Sequence, residues 1–362
     1  MKILAIESSC DETAAAIVED GRRLLSNVVH TQIDIHAHYG GVVPEIAARS
    51  HIEAINPVIN KALQDAKCGW DDVDAIAVTY APGLIGSLLV GTLAARTLAI
   101  IHNKPLYPIH HVEAHVYANF ITEQTTDQTP LTLPSSQPQF PMLALIVSGG
   151  HSQLVLFRDH GDYELLGQTQ DDAVGEAFDK VAKIIGLPYP GGPSIAKAAL
   201  DGDPNRYPLP KARLKDPYNF SFSGLKTAVL RAVQHEVGVD FTFPSHELPG
   251  LVNSQMQADF AASFQRVAVE TLVDKAQRAF NDHQPASVVI AGGVAANQEL
   301  RRQLSERLPL AIEYAPMQLC TDNAAMIGAL AYYQSQHVEP TDPLALEVIP
   351  SLSMTKTAWN VA

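Results

Sequence analysis

Residues 3–7 form an apolar run closed by a carboxylate, Ile3-Leu4-Ala5-Ile6-Glu7, and predict a buried strand. A polar turn, Ser8-Ser9-Cys10-Asp11-Glu12, separates it from a second strand over 13–19. An Asp20-Gly21 turn then leads into a third strand over 23–29, so the chain opens on a β-meander. Apolar residues at helical spacing predict a helix over 44–65. A strand over 74–80 stops at Ala81-Pro82-Gly83, a helix follows over 84–101, and a short strand lies near 106–109.

The opening pattern returns from Met142. Strands over 142–147, 152–157 and 163–168 follow one another, the first two joined by Ser148-Gly149-Gly150-His151. The recurrence, about 140 residues downstream, reads as a duplicated lobe, and two facing lobes create a nucleotide cleft. A strand over 287–291 ends in Gly292-Gly293 and leads through Asn297 into a helix, as βα phosphate and nucleoside sites do. The expected class is therefore two-lobed α/β. Residues 122–139 and 237–250 read as inserted loops, and the tail after Gln336 has little periodicity beyond a short edge segment.

Composition narrows the function. The chain has 362 residues, long for one domain, and its 46% hydrophobic and 18% charged residues are those of a globular protein. Cys10, Cys68 and Cys320 have no C-x-x-C spacing, and the N-terminal apolar run is too short for a secretory signal, so a reducing, cytoplasmic setting is expected. The apolar stretch 84–101 contains Arg96, Gly86 and Gly91 and reads as a packed helix, with no membrane role expected. A net charge of −14 makes the chain a poor general binder of nucleic acid. One local patch runs the other way: Arg206, Lys211, Arg213, Lys215, Lys226 and Arg231 against Asp216. It is either a solvated basic face or a phosphate-contacting one.

His111 and His115, in His110-His111-Val112-Glu113-Ala114-His115, stand at i and i+4 and can reach one metal at about 2.1 Å if the segment is helical. Glu113 lies about 200° around the helix from His111 and faces away, unlike the acid of H-E-x-x-H. The pair is otherwise two exposed helix histidines. Asp322, at the start of a predicted helix, is either a cap or a third ligand; two imidazoles and a carboxylate leave positions open for Lewis-acid work with iron or zinc. Ser148-Gly149-Gly150, Gly191-Gly192 and Gly292-Gly293 let backbone N–H groups approach a phosphate, or are plain turns. Asp179 either accepts from ribose hydroxyls or pairs with Lys180 or Lys183.

These segments resemble a known family, the tRNA adenosine threonylcarbamoyltransferases of the actin, sugar kinase and Hsp70 fold class. The resemblance is carried in order by residues 6–13, 40–45, 82–84, His111 and His115, 147–151, 175–180, 190–193, 220–226 and 291–297. It covers nearly the whole chain; only the 122–139 and 237–250 loops look longer than usual. It implies transfer of a threonylcarbamoyl group from threonylcarbamoyl-AMP to N6 of the adenosine 3′ of the anticodon, in tRNAs reading codons that begin with adenine. It places the metal on His111, His115 and Asp322, one divalent ion per chain, with iron favoured and zinc the alternative. It places the adenylate on Ile146, Val147, Ser148, Gly149, Gly150, Asp179, Gly192 and Asn297. It further implies an actin-like lobe over 1–109, a second lobe over 110–325 with both sites, and a segment over 326–362 returning to the first. The implied partners are tRNA, an inactive subunit of the same fold and a P-loop ATPase. On chemical grounds Asp11 or Glu12 is either a general base facing the cleft or a solvated acid of the turn. The competing readings are a metalloprotease, against which the placement of Glu113 counts, and an ATP-dependent chaperone or sugar kinase of the same fold.

Overall fold

A computed structural model describes residues 1–125 and 129–356. The chain starts with β1 (Lys2–Glu7), β2 (Glu12–Glu19) and β3 (Arg23–Thr31), then α1 (Ile33–Ala37), α2 (Pro44–Asp65), β4 (Ala75–Ala81), α3 (Ile85–His102), β5 (Leu106–His110), α4 (His111–Tyr117) and the short β6 (Glu123–Gln124). The six strands form one sheet in the order β5-β4-β1-β2-β3-β6. β1 pairs antiparallel with β2, Ala5 opposite Ala16, and parallel with β4, Ala5 opposite Ala77. Asp20 and Gly21 both take positive φ in the β2–β3 turn, as a tight hairpin with right-handed strand twist requires.

The inner strands are apolar on both faces because both faces are covered. Leu4, Ile6, Ala15 and Ile17 pack under Ile55, Ile59 and Ala62 of α2 and Ala95 and Ala99 of α3. The alternate residues Ala5 and Val18 meet α11 (Ala324–Ser335), whose Gly328 sits so close that an added Cβ would lie 2.8 Å from Val18 Cγ2. α3 is long and apolar enough to cross a bilayer by length and composition. One of its faces, Ser87, Leu88, Gly91, Thr92, Ala95 and Ala99, is nevertheless buried in the protein, and Arg96 donates to the backbone carbonyls of Pro343 and Leu344.

The second half begins with the meander β7 (Met142–Val147), β8 (Ser152–Asp159) and β9 (Asp162–Gln168), and continues through α5 (Val174–Ile185), α6 (Gly191–Ala198), α7 (Ser223–Glu236), α8 (Ser254–His283), β10 (Ser287–Ala291), α9 (Gln298–Arg307) and α10 (Met317–Cys320) to α11. Its sheet runs β10-β7-β8-β9. A later strand flanking the first of a meander is the arrangement of β4-β1-β2-β3, so the repeat seen in sequence is a repeat of topology. α8, capped by the Asn253 side chain on Met256 N, buries Phe260, Phe264, Val267 and Leu272 in this half's core.

Two compact units result. One comprises Met1–Met142, Phe157–Glu164 and Glu313–Ala362; the other comprises Leu143–Leu156 and Leu165–Ile312. A division at residues 109 and 325 differs from this, for a packing reason. α4 continues directly from β5, and the Asn119 side chain accepts from Ala315 N at 3.0 Å, which ties the segments carrying His111, His115 and Asp322 to the first sheet. The 122–139 stretch is not purely a solvated loop: Glu123–Gln124 adds an edge pair to β3, and Gln137 donates to Tyr333 Oη and the Phe120 carbonyl. In 237–250, Leu248 is fully buried and the Gln234 amide donates to the Phe243 carbonyl at 3.1 Å.

Gly328→Ala is expected to lower stability by about 1–3 kcal/mol, the usual cost of overpacking, as α11 is pushed off β1 and β2. Urea denaturation measures it, and an unchanged midpoint would mean that this contact tolerates a methyl group.

Candidate functional site

The first site is built on the turn between β1 and β2, which α3 holds from below. Ser8 Oγ donates to the Ser87 carbonyl (2.9 Å), Ser87 Oγ to the Cys10 carbonyl (3.1 Å), and Leu84 N to the Ser9 carbonyl (2.8 Å). Two glycines permit this approach. A Cβ at Gly83 would lie 2.6 Å from the Ser9 carbonyl oxygen, and one at Gly91 would overlap Ser8 Oγ.

α4 is buried along its whole length, so the histidine pair is not a pair of exposed residues. His110 caps it, its Nδ1 accepting from Glu113 N at 3.4 Å while its Nε2–H donates to the Leu352 carbonyl at 3.1 Å. His111 and His115 share a face, ring centroids 4.7 Å apart. Asp322 joins them: its Oδ1 lies 3.5 Å from His111 Nε2 and 3.3 Å from His115 Nε2. Asp322 is not the helix cap; Asn323 is, accepting from Met326 N at 3.1 Å, and this leaves the preceding carboxylate to the histidines.

Among the described residues, these three form the one group of histidine, cysteine or carboxylate side chains placed to hold a metal, with ligand atoms within 4.8 Å of one another. The donor set passes a direct test. His115 is 2% exposed, yet neither ring nitrogen has a hydrogen-bond partner, a costly state for a buried polar group. Separations of 3.3 and 3.5 Å are close to the ~3.4 Å between two ligands of a tetrahedral ion with bonds of about 2.1 Å. A cation would satisfy both facts.

The field around the cluster is strongly negative. Burial alone would lower the pKa of His111, but Asp322 and Glu7 outweigh it and raise it to about 9. Glu7 is fully buried, which pushes its pKa up, and its pairing with His111 more than reverses this. Glu12 is pushed up to about 10 by burial first and then by the charges of Asp322 and Asp11. Glu113 faces away from the pair, as its position on the helix requires. Burial raises it to about 8; its Oε2 lies 3.2 Å from the Tyr163 hydroxyl, which donates to the Met354 carbonyl.

The glycine turns belong to the other unit. Ser148 N donates to the His151 carbonyl (2.8 Å) and His151 N to Ser148 Oγ (3.2 Å), which leaves Gly149 and Gly150 at an exposed tip. Ile146 and Val147 have no exposed surface and contribute the strand that positions this tip. The glycines divide into two kinds. A Cβ at Gly175 would lie 2.6 Å from the Ser148 carbonyl oxygen, one at Gly191 2.5 Å from Asp179 Cα, and one at Gly292 would overlap the Val147 carbonyl. At Gly149, Gly150 and Gly192 a Cβ would meet nothing within 4 Å. Asp179 Oδ1 accepts from Gly191 N at 2.7 Å and so sets the start of α6. Asn297 caps α9 through Leu300 N and donates to Gln265 Oε1 at 2.8 Å.

Much of the basic patch is neutralised internally. Lys211 bridges Glu270 and Asp274, Lys226 pairs with Asp172, and Arg206 approaches Glu236. Arg213 and Lys215 carry no ion pair among the described residues.

Sequence reasoning gave no role to Glu7 and Ser9, which flank His111 Nδ1, or to Thr79, which donates to Glu7. The signal was present in part: Glu7 is a carboxylate ending a strand whose other inner residues are apolar. Thr79, in a plain buried strand, gave none.

Two units, each with a meander flanked by a later strand, one carrying a His–His–Asp cluster and the other exposed glycine turns, define a two-lobed actin-like α/β protein. The fold is similar to that of full-length HypF in its phosphate- and nucleotide-bound form, with a TM-score of 0.57 at 13% identity over 94% of this chain and 56% of that one. The family model for TsaD, tRNA N6-adenosine threonylcarbamoyltransferase, matches residues 23–329. Proteins of that description from Thermomicrobium roseum and Symbiobacterium thermophilum are 52% and 49% identical, over 93% and 97% of this chain and 92% and 96% of their own. The chain belongs to the tRNA N6-adenosine threonylcarbamoyltransferases, enzymes that transfer a threonylcarbamoyl group to N6 of an adenosine in tRNA.

The two kinds of glycine separate experimentally. Gly149→Ala and Gly192→Ala should change stability by less than about 0.5 kcal/mol, whereas Gly175→Ala and Gly191→Ala should each cost about 1–3 kcal/mol. Thermal denaturation of the four variants tests this; equal losses in all four would refute the division.

Proposed function

We propose that the transfer uses a divalent cation held by His111, His115 and Asp322, with threonylcarbamoyl-AMP as donor and the adenosine 3′ of the anticodon as acceptor. The observation that carries the cation is the buried imidazole of His115, which makes no hydrogen bond and has its Nε2 3.3 Å from Asp322 Oδ1. Iron is favoured by the family resemblance, and zinc suits the same donors. When bound, such a cation supplies Lewis-acid polarisation of a phosphate or carbamoyl oxygen.

The remaining roles fall to the chain itself. Gly149, Gly150 and Gly192, where nothing of the protein fills the space of a side chain, offer backbone N–H groups to the AMP phosphate. Asp179 and Asn297, fixed by their own hydrogen bonds, are the proposed nucleoside contacts. The adenylate already has a good leaving group, so positioning and charge stabilisation are the main demands on these residues. The N6 amine must lose a proton as it attacks. Asp11 or Glu12, on the turn after β1, is the proposed acceptor of that proton.

A subunit of the same fold and a P-loop ATPase are the proposed partners. The outward face of α3 supports a protein contact, since Ile85, Leu89, Leu93 and Ile100 are all exposed in a helical stripe. tRNA, found in the cytoplasm, is the substrate; with a chain charge of −14, the unpaired Arg213 and Lys215 are the proposed phosphate contacts.

His111→Ala combined with His115→Ala should abolish both metal content and formation of the modified nucleoside, read by elemental analysis and by mass analysis of tRNA nucleosides. Full transfer by a metal-free double variant would overturn the cation. Arg213→Glu with Lys215→Glu should flatten the log–log salt dependence of tRNA binding by roughly 0.9 per lost contact, with adenylate affinity unchanged. An unaltered slope would assign tRNA binding to other surfaces.

A further inference from the structure

We infer that Glu7 is a positioning residue for the cation site: buried at the end of β1, it holds the ring of His111 and aims Nε2 toward Asp322. The inference rests on the cation reading above and extends it to a residue outside the three ligands. Glu7 has no exposed surface, and donors from three segments converge on its carboxylate. Oε1 accepts from Ser9 N (2.5 Å), in the turn after β1. Oε2 accepts from Thr79 Oγ1 (2.5 Å), on β4, and from His111 Nδ1 (3.0 Å), on α4.

Both oxygens act as acceptors, so Nδ1 carries a hydrogen directed at Glu7, and Nε2 is the nitrogen that a cation would take in place of a proton. Nε2 is the atom 3.5 Å from Asp322 Oδ1. Ser9 Oγ, 3.1 Å from the same Nδ1, flanks that hydrogen on a second side. His115 has no comparable holder, since neither of its ring nitrogens is hydrogen-bonded. The orientation of the ligand pair thus depends on His111, and that of His111 on Glu7. A carboxylate behind a ligating imidazole also makes it a stronger donor, and its loss typically costs 10–100-fold in metal affinity.

The competing account is that Glu7 only ties the turn to β4 through Ser9 and Thr79. Removing such a tie would lower stability without acting through His111. In Glu7→Gln, an NH2 group must face at least one of the three donors; in Glu7→Asp, the charge stays but withdraws by one methylene.

The experiment titrates the metal-free, full-length protein with Co2+ alone, followed by its visible absorption, beside thermal denaturation of each variant. Wild-type protein should bind one Co2+, and Glu7→Gln and Glu7→Asp should bind roughly 10–100-fold more weakly. In His111→Ala protein, adding Glu7→Gln should change the residual affinity by less than about twofold, because the residue it acts through is gone. Equal Co2+ affinity in wild type and both folded Glu7 variants would overturn the inference, as would an undiminished effect of Glu7→Gln without His111. If Glu7→Gln does not fold, Glu7→Asp gives the same comparison. Failure of the wild type to bind Co2+ would instead remove the cation reading itself.

Discussion

A charged carboxylate withdrawn from water costs several kcal/mol unless donors surround it, and in the first unit that requirement is concentrated at Glu7. Its donors come from the turn after β1, from β4 and from α4. The sheet order makes this convergence possible: β4 lies beside β1, β5 beside β4, and α4 starts where β5 ends. Parallel strands finish at the same edge, so side chains distant in sequence meet there. α3 secures the arrangement by clamping the Ser8–Cys10 backbone through Ser87 and Leu84, with Gly83 and Gly91 permitting the contact. Asp322 arrives just ahead of α11, itself seated flat on β1 and β2 through Gly328.

The second unit meets a different requirement with the same topology. Its glycines either let one backbone segment pack on another, as at Gly175, Gly191 and Gly292, or stand before open space, as at Gly149, Gly150 and Gly192. The first kind builds the loops, and at the second nothing of the protein stands where a side chain would be. The closest packing thus lies directly beside the positions left open: Gly191 is buried against Asp179, and Gly192, the next residue, is free.

The repeat of the meander was legible because strand-length apolar runs and Asp-Gly or Ser-Gly-Gly turns are local signals. α2 runs over the same residues 44–65 that its periodicity marks. The candidate ligands were legible as residue types at a spacing. Their surroundings were not. Whether α4 was buried, and whether Asp322 or Asn323 capped α11, depended on packing of distant segments. Thr79 acquires meaning only beside Glu7. The basic patch shows the converse, since its charges were plain in sequence while the acids that neutralise Lys211 lie on α8, more than fifty residues away.

The measurement that bears most directly on the account is anomalous scattering, at the absorption edges of iron and zinc, from crystals of the purified protein. One peak per chain is expected, about 2 Å from His111 Nε2, His115 Nε2 and a carboxylate oxygen of Asp322. A map with no peak at these residues, from protein that carries out the transfer, would contradict it.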